Sequence, residues 1–185
     1  MFLTALKAKL AAMVVVAGLN TDDMPGISKD MMSTLENLAA AQKAAAEDPG
    51  KGPDVNASFN EALAKVNELA QTGDKDAQYA LAHWGVLSNS NLNEVVVLYR
   101  KAAEQGQLLA KVELAQVLLQ AGQQNEASVK EAVKLIQEAE AGDNKVARRL
   151  LANLHLGGVG GVEASVEKAK ALLEKGSAAG DGEAT

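Results

Sequence analysis

Apolar residues recur at three- and four-residue steps through much of this chain. Phe59, Leu63, Val66 and Ala70 keep one face in this way, which predicts a helix from about 59 to 71 with Asn56 or Ser58 as its cap. Beyond Gly73 the pattern becomes helix, turn, helix. It pairs 75–87 with 93–105, 108–121 with 127–141, and 144–156 with 163–175. Upstream, Ser28 or Asp30 caps a helix that runs to about Glu47 and stops at Asp48-Pro49-Gly50. Pro49 and Pro53 cannot sit inside a helix without losing a hydrogen bond and clashing, so 48–54 reads as a break. Asn20 to Ser28 reads as a turn or linker.

One phrase punctuates these helices. Ala70-Gln71-Thr72-Gly73-Asp74 is followed by Ala77, and Ala103-Glu104-Gln105-Gly106 by Ala110. Ala139-Glu140-Ala141-Gly142-Asp143 is followed by Ala147, and Ala178-Ala179-Gly180-Asp181 by Ala184. The glycines are 33, 36 and 38 residues apart, a period that means stacked supersecondary units. Each glycine falls where a helix ends and can take the left-handed conformation there. Asp74 and Asp143 are placed to cap the following helix at its positive dipole end. The small residue one turn later lets two helices approach closely. The third copy needs one inserted residue before Ala147.

Composition narrows the class. Hydrophobic residues make up 48% of the chain, much of it alanine, and aromatics only 3%, which suits close helices better than sheets. The net charge of −6 argues against a nucleic-acid partner, which would need a clustered basic face. Without cysteine there is no disulfide, thiolate metal site or cysteine nucleophile. Residues 10–19 are an apolar run behind Lys7 and Lys9, too short to span a bilayer. The run fits either the apolar core of a signal peptide or a buried first helix that caps the stack. The first reading implies export, or a periplasmic location; the second a cytoplasmic one. A membrane-tethered assembly subunit, anchored through residues 5–19, is the competing role.

The stretch Leu98-Tyr99-Arg100-Lys101-Ala102-Ala103-Glu104-Gln105-Gly106, with Ala110, Leu114 and Ala115 after it, resembles the Sel-one-like repeat, a relative of the tetratricopeptide repeat. The loop Gly157-Gly158-Val159-Gly160-Gly161-Val162 is similar to that family's glycine turn. The resemblance spans about 57–185, leaving 1–19 as leader or apolar helix and 20–56 as N-terminal helix and linker. Gly85 and Leu118 stand where the repeat usually has an aromatic. The resemblance implies an all-α fold, a short right-handed α/α superhelix or solenoid, and a non-enzymatic scaffold or adaptor that binds a protein or peptide in its concave groove. It also implies that the first helix of each pair lines that groove. Taking Leu81, Leu114 and Leu151 as buried anchors, the groove list is Tyr79, His83 and Leu87; Val112, Gln116 and Gln120; and Arg149, Asn153 and Gly157. A stack this short has exposed apolar ends, to be covered by the N-terminal helices or by self-association.

Catalytic and metal chemistry find little footing. His83 and His155 are the only histidines and lack a metal-ligand spacing such as His-x-x-x-His. The glycine loop lacks the lysine and hydroxyl that follow a nucleotide-binding loop. No cofactor is implied, and a hydrolase is the least supported role. Trp84 reads as core packing rather than a binding anchor.

Overall fold

The computed structural model describes residues 28–34, 36, 37, 40, 52–87, 90–121 and 125–178, and every regular element among them is helical. Beyond a short helical stretch at 29–34, the helices are α1 (Gly52–Gln71), α2 (Lys75–Leu87), α3 (Leu92–Glu104), α4 (Leu108–Ala121), α5 (Glu126–Ala141), α6 (Lys145–Gly157) and α7 (Val166–Ala178). They fall into two compact units that divide between Gln107 and Leu108. The apolar run 10–19, the break at 48–50 and the fourth copy of the phrase at Gly180-Asp181 lie outside the described residues.

In the first unit, α1 starts seven residues earlier than its apolar stripe predicts. Pro53 sits in its first turn, where the missing N–H would have had no partner anyway. Asn56 and Ser58 are therefore interior to the helix and do not cap it. Ser28 does act as a cap: its Oγ accepts the Met31 N–H at 3.2 Å. Met31 is fully buried with Val66, Leu69, Ala70, Ala77 and Ala80. The 28–34 stretch thus covers the outer side of the α1–α2 pair. Between α2 and α3, a Cβ on Gly85 would stand 2.7 Å from Val95 Cγ2. The absence of the expected aromatic at Gly85 lets α3 press against α2.

The three turns between pairs share one backbone pattern. The Gly73, Gly106 and Asp143 N–H groups donate back to the Ala70, Ala103 and Glu140 carbonyls. The next N–H groups, of Asp74, Gln107 and Asn144, reach the Leu69, Ala102 and Ala139 carbonyls. These are paired 5→2 and 6→1 closures around a left-handed residue. Gly73 and Gly106 take that conformation at φ 100° and 84°. In the third turn the inserted residue shifts every role by one. Gly142 stays at φ −82° and Asp143 is left-handed at φ 64°. Asp143 consequently does not cap α6, as its place in the phrase predicts. Asn144 does, with Oδ1 accepting from the Val146 and Ala147 N–H groups at 3.0 Å each. Asp74 caps α2 as expected, at 2.9 Å to Asp76 N and 2.8 Å to Ala77 N.

The second unit has an aliphatic core of Val112, Ala115, Ala132, Val133, Ile136, Ala139, Ala147, Leu151, Leu154 and Val162. Burying one large aliphatic side chain in such a core contributes about 1.5–3 kcal/mol. Asn125 caps α5 through the Ala127 N–H at 3.0 Å. The glycine loop after α6 lies tight on α5: a Cβ on Gly160 would meet Val133 Cγ2 at 2.6 Å and Val129 Cγ1 at 2.8 Å. The loop runs longer than its sequence suggests. α7 begins at Val166, and Ser165 Oγ takes the Lys168 N–H at 3.2 Å.

Candidate interaction surface

The first helices of the pairs, α2, α4 and α6, carry the residues expected to line a groove, and the structure sorts them. Tyr79 and Val112 are each 2% exposed, so neither faces a groove. The Tyr79 ring packs 6.0 Å from Tyr99 and 5.8 Å from His83, and Val112 belongs to the aliphatic core. Their apolar bodies are drawn inward by the second helix of the pair. His83 is half-buried, with Nδ1 buried and lacking a hydrogen-bond partner among the described residues. Leu87 closes α2, but its side chain lies outside what is described. Gln116 and Gln120 are exposed one turn apart on α4. Arg149 is half-buried and Asn153 exposed, one turn apart on α6, with Gly157 following at its exposed end.

The second unit therefore offers two short polar ladders, Gln116–Gln120 and Arg149–Asn153. Each stands opposite a buried stripe: Leu114 and Ala115 on α4, Ala147 and Leu151 on α6. Amides both donate and accept, and a guanidinium donates in a fork, so such ladders can pair with a peptide backbone or carboxylate. Trp84 is half-buried with Nε1 inside. His155 Nδ1 lies 2.9 Å from the Glu163 carbonyl across the glycine loop.

A second set of polar residues escapes the repeat pattern read from sequence. Directly after each small alanine stands Gln78, Lys111 or Arg148, and each ties its helix to a turn or to the paired helix. Gln78 donates to the Ala70 carbonyl at 3.1 Å and accepts from Gln105 Nε2 at 2.9 Å. Lys111 meets Glu138 at 2.6 Å, and that hydrogen bond holds the Glu138 carboxyl below its ordinary range. Arg148, 2% exposed, pairs with Asp143 and lies 3.8 Å from Glu140, which Lys175 also reaches at 2.7 Å. A polar residue beside an invariably buried alanine is the signal that would have found them. Nearby, Asp76 is buried at 3% exposure, and that burial raises its pKa against the opposing hydrogen bond from Gln107 Nε2 at 3.2 Å.

Among the described residues no three His, Cys, Asp or Glu side chains gather as metal ligands, and no helix is long and apolar enough to cross a membrane.

Comparison with known proteins agrees with the helix-pair architecture. A family model described as phosphoinositide-specific phospholipase C, EF-hand-like, matches residues 87–153, well under half of the chain. Asp143 is the one aspartate in that span, whereas a calcium-binding EF-hand loop sets several oxygen side chains at alternate positions and ends in glutamate. No curated protein matches the chain. The crystal structure of a protective antigen present in uropathogenic Escherichia coli strains, which displays an SLR fold, is similar over 62% of this chain at 30% identity and a TM-score of 0.56. A Sel1 repeat protein from Oxalobacter formigenes is similar over 80% of this chain at 24% identity and a TM-score of 0.60. This chain spans 25% of the first protein's length and 60% of the second's. With its period, its turns and these likenesses together, the chain has the fold of a Sel1-like helical repeat protein.

Proposed function

We propose that this chain is a non-enzymatic protein-interaction scaffold or adaptor that holds a partner protein or peptide on the first helices of its second unit. The supporting observation is the pair of ladders on α4 and α6. Four polar side chains at one-turn spacing are exposed or half-buried there, while the opposite faces of the same helices are locked in the core. A surface fixed from behind in this way costs little ordering entropy when a segment docks. Gln116, Gln120 and Asn153 supply hydrogen bonds in this reading, with the Arg149 guanidinium reading a carboxylate or backbone carbonyls.

The test is a quantitative capture from the source lysate with wild-type chain and with the triple variant Gln116→Ala, Gln120→Ala, Asn153→Ala. All three positions are exposed, so helicity should stay unchanged. A partner held on this face loses about tenfold or more in affinity, equivalent to about 1.4 kcal/mol. A partner bound equally well by the variant would refute the reading.

A further inference from the structure

We infer that the α6–α7 face is a self-association surface, on which a second copy of this chain packs its own α7 antiparallel across a twofold axis. The face is an open apolar depression of about 440 Å³ lined by Leu156, Val166, Ala169 and Leu173, with Lys170 and Glu174 on its rim. Leu156 is 54% and Val166 66% exposed, among the most exposed large apolar residues described.

The positions explain why this face is apolar. Counted from Asp143, α5 carries Val129, Val133 and Ile136 at fourteen, ten and seven residues upstream. Counted from Gly180, α7 carries Val166, Lys170 and Leu173 at the same offsets. On α5 this stripe is covered: Val129 and Val133 lie under the Gly160 loop and Ile136 is fully buried. On α7 it stands open among the described residues. Val166 and Leu173 keep the apolar character of a covered seat, and Lys170 is the departure.

The occupant follows from charge. A twofold pair uses one face twice and closes on itself, so that face must be complementary to itself. Along α7, Lys170 and Glu174 sit one turn apart with Nζ and Oε1 at 3.7 Å. An antiparallel crossing near the middle of α7 puts Lys170 beside the partner's Glu174 and Glu174 beside the partner's Lys170. The stripe is complementary to itself in charge as well as apolar. This inference stands whether or not the α4 and α6 ladders bind a peptide.

Sedimentation equilibrium over a concentration series tests it on the full chain. The wild type should approach twice the 19.2 kDa chain mass. Lys170→Glu alone and Glu174→Lys alone each set like charges against each other at both rim contacts, and each should dissociate at least about tenfold more readily. An equimolar mixture of the two variants restores opposite charges at both contacts and should reassociate. Circular dichroism keeps track of folding throughout. A wild type that stays monomeric up to about millimolar concentration overturns the proposal. So does a pair of variants that dimerise like wild type, or a mixture that stays apart after each variant alone has dissociated.

Discussion

The two units close the same turn and fill the space behind it differently. Seven residues before the left-handed residue stands Tyr99 in the first unit and Ile136 in the second, both fully buried. Five residues after the left-handed Gly73 and Asp143 stand Gln78 and Arg148, both buried. The first unit packs aromatics and ties its helices through amide side chains, Gln78 to Gln105 and Gln107 to the Asp76 carboxyl. The second packs aliphatics and ties its helices with ions, Lys111 to Glu138 and Arg148 to Asp143. The backbone closure is the constant, and the side chains behind it are interchangeable provided that volume and hydrogen bonding are satisfied.

The largest break in that comparison should come from the aliphatic core. Ile136→Ala leaves a cavity at a site with no exposed surface, at a cost of about 2–5 kcal/mol. Urea unfolding followed by circular dichroism measures the loss. Trp84 is the chain's one tryptophan and belongs to the first unit, so its fluorescence follows that unit separately. Because repeat arrays couple through neighbours, the fluorescence midpoint should shift less than the helicity midpoint. Equal shifts would show that the two units unfold as one block.

The turns come next. Asn144→Ala removes the α6 cap and should cost about 1 kcal/mol, as should Asp74→Ala at the equivalent cap of α2. Asp143→Gly should cost less than either. Glycine adopts φ 64° freely, and the buried Arg148 guanidinium keeps Glu140 at 3.8 Å when its pair with the 73% exposed Asp143 carboxylate is lost. Thermal midpoints of the three variants decide it. An Asp143→Gly loss larger than that of Asn144→Ala would make Asp143 a structural partner of Arg148 and not merely the residue that tolerates the left-handed bend.

The shift at this turn also marks where the sequence stops being legible. The period and the small alanines located α2 and α4 to the residue and most other helices to within a residue or two, because helix stops and close crossings depend on local chemistry. The phrase alone gives Asp143 the wrong role, because one inserted residue leaves it intact while moving the left-handed site from Gly142 to its neighbour. The sequence puts the start of α1 too late because Pro53, read there as a breaker, is equally compatible with a helix's first turn, and only packing chooses. Of the residues that the repeat resemblance puts on a groove, Gln116, Gln120 and Asn153 are exposed and Tyr79 and Val112 are buried. The resemblance could not exclude the latter two, since burial depends on the depth of the second helix. The self-complementary stripe on α7 was invisible for the same reason, because nothing local says whether an apolar stripe is covered.

Asp76 gives the smallest and most discriminating contrast between the units. Its carboxylate is buried at the start of α2, near Ser28, and desolvation raises its pKa above the ordinary 3.8 despite the Gln107 hydrogen bond and Lys75. A raised folded pKa means that the folded state favours the protonated acid. Its contribution to stability is complete below about pH 3.8 and is lost as pH climbs through the raised value. Glu138 in the second unit has the opposite sign, since its lowered pKa gives a contribution that is lost as pH falls. Asp76→Asn keeps an acceptor for Gln107 Nε2 and removes the buried charge. At neutral pH it should therefore stabilise the protein, by less than the roughly 1 kcal/mol at stake in a helix cap. The advantage over wild type should shrink towards zero as pH drops to 3.8 and below, because wild-type Asp76 is then neutral too. Urea midpoints of both proteins across pH 3 to 7, about one unit apart, trace that difference without interference from Glu138, which is common to both. A variant less stable than wild type at neutral pH would show that the amide network of the first unit holds a charge as firmly as the ionic ties of the second.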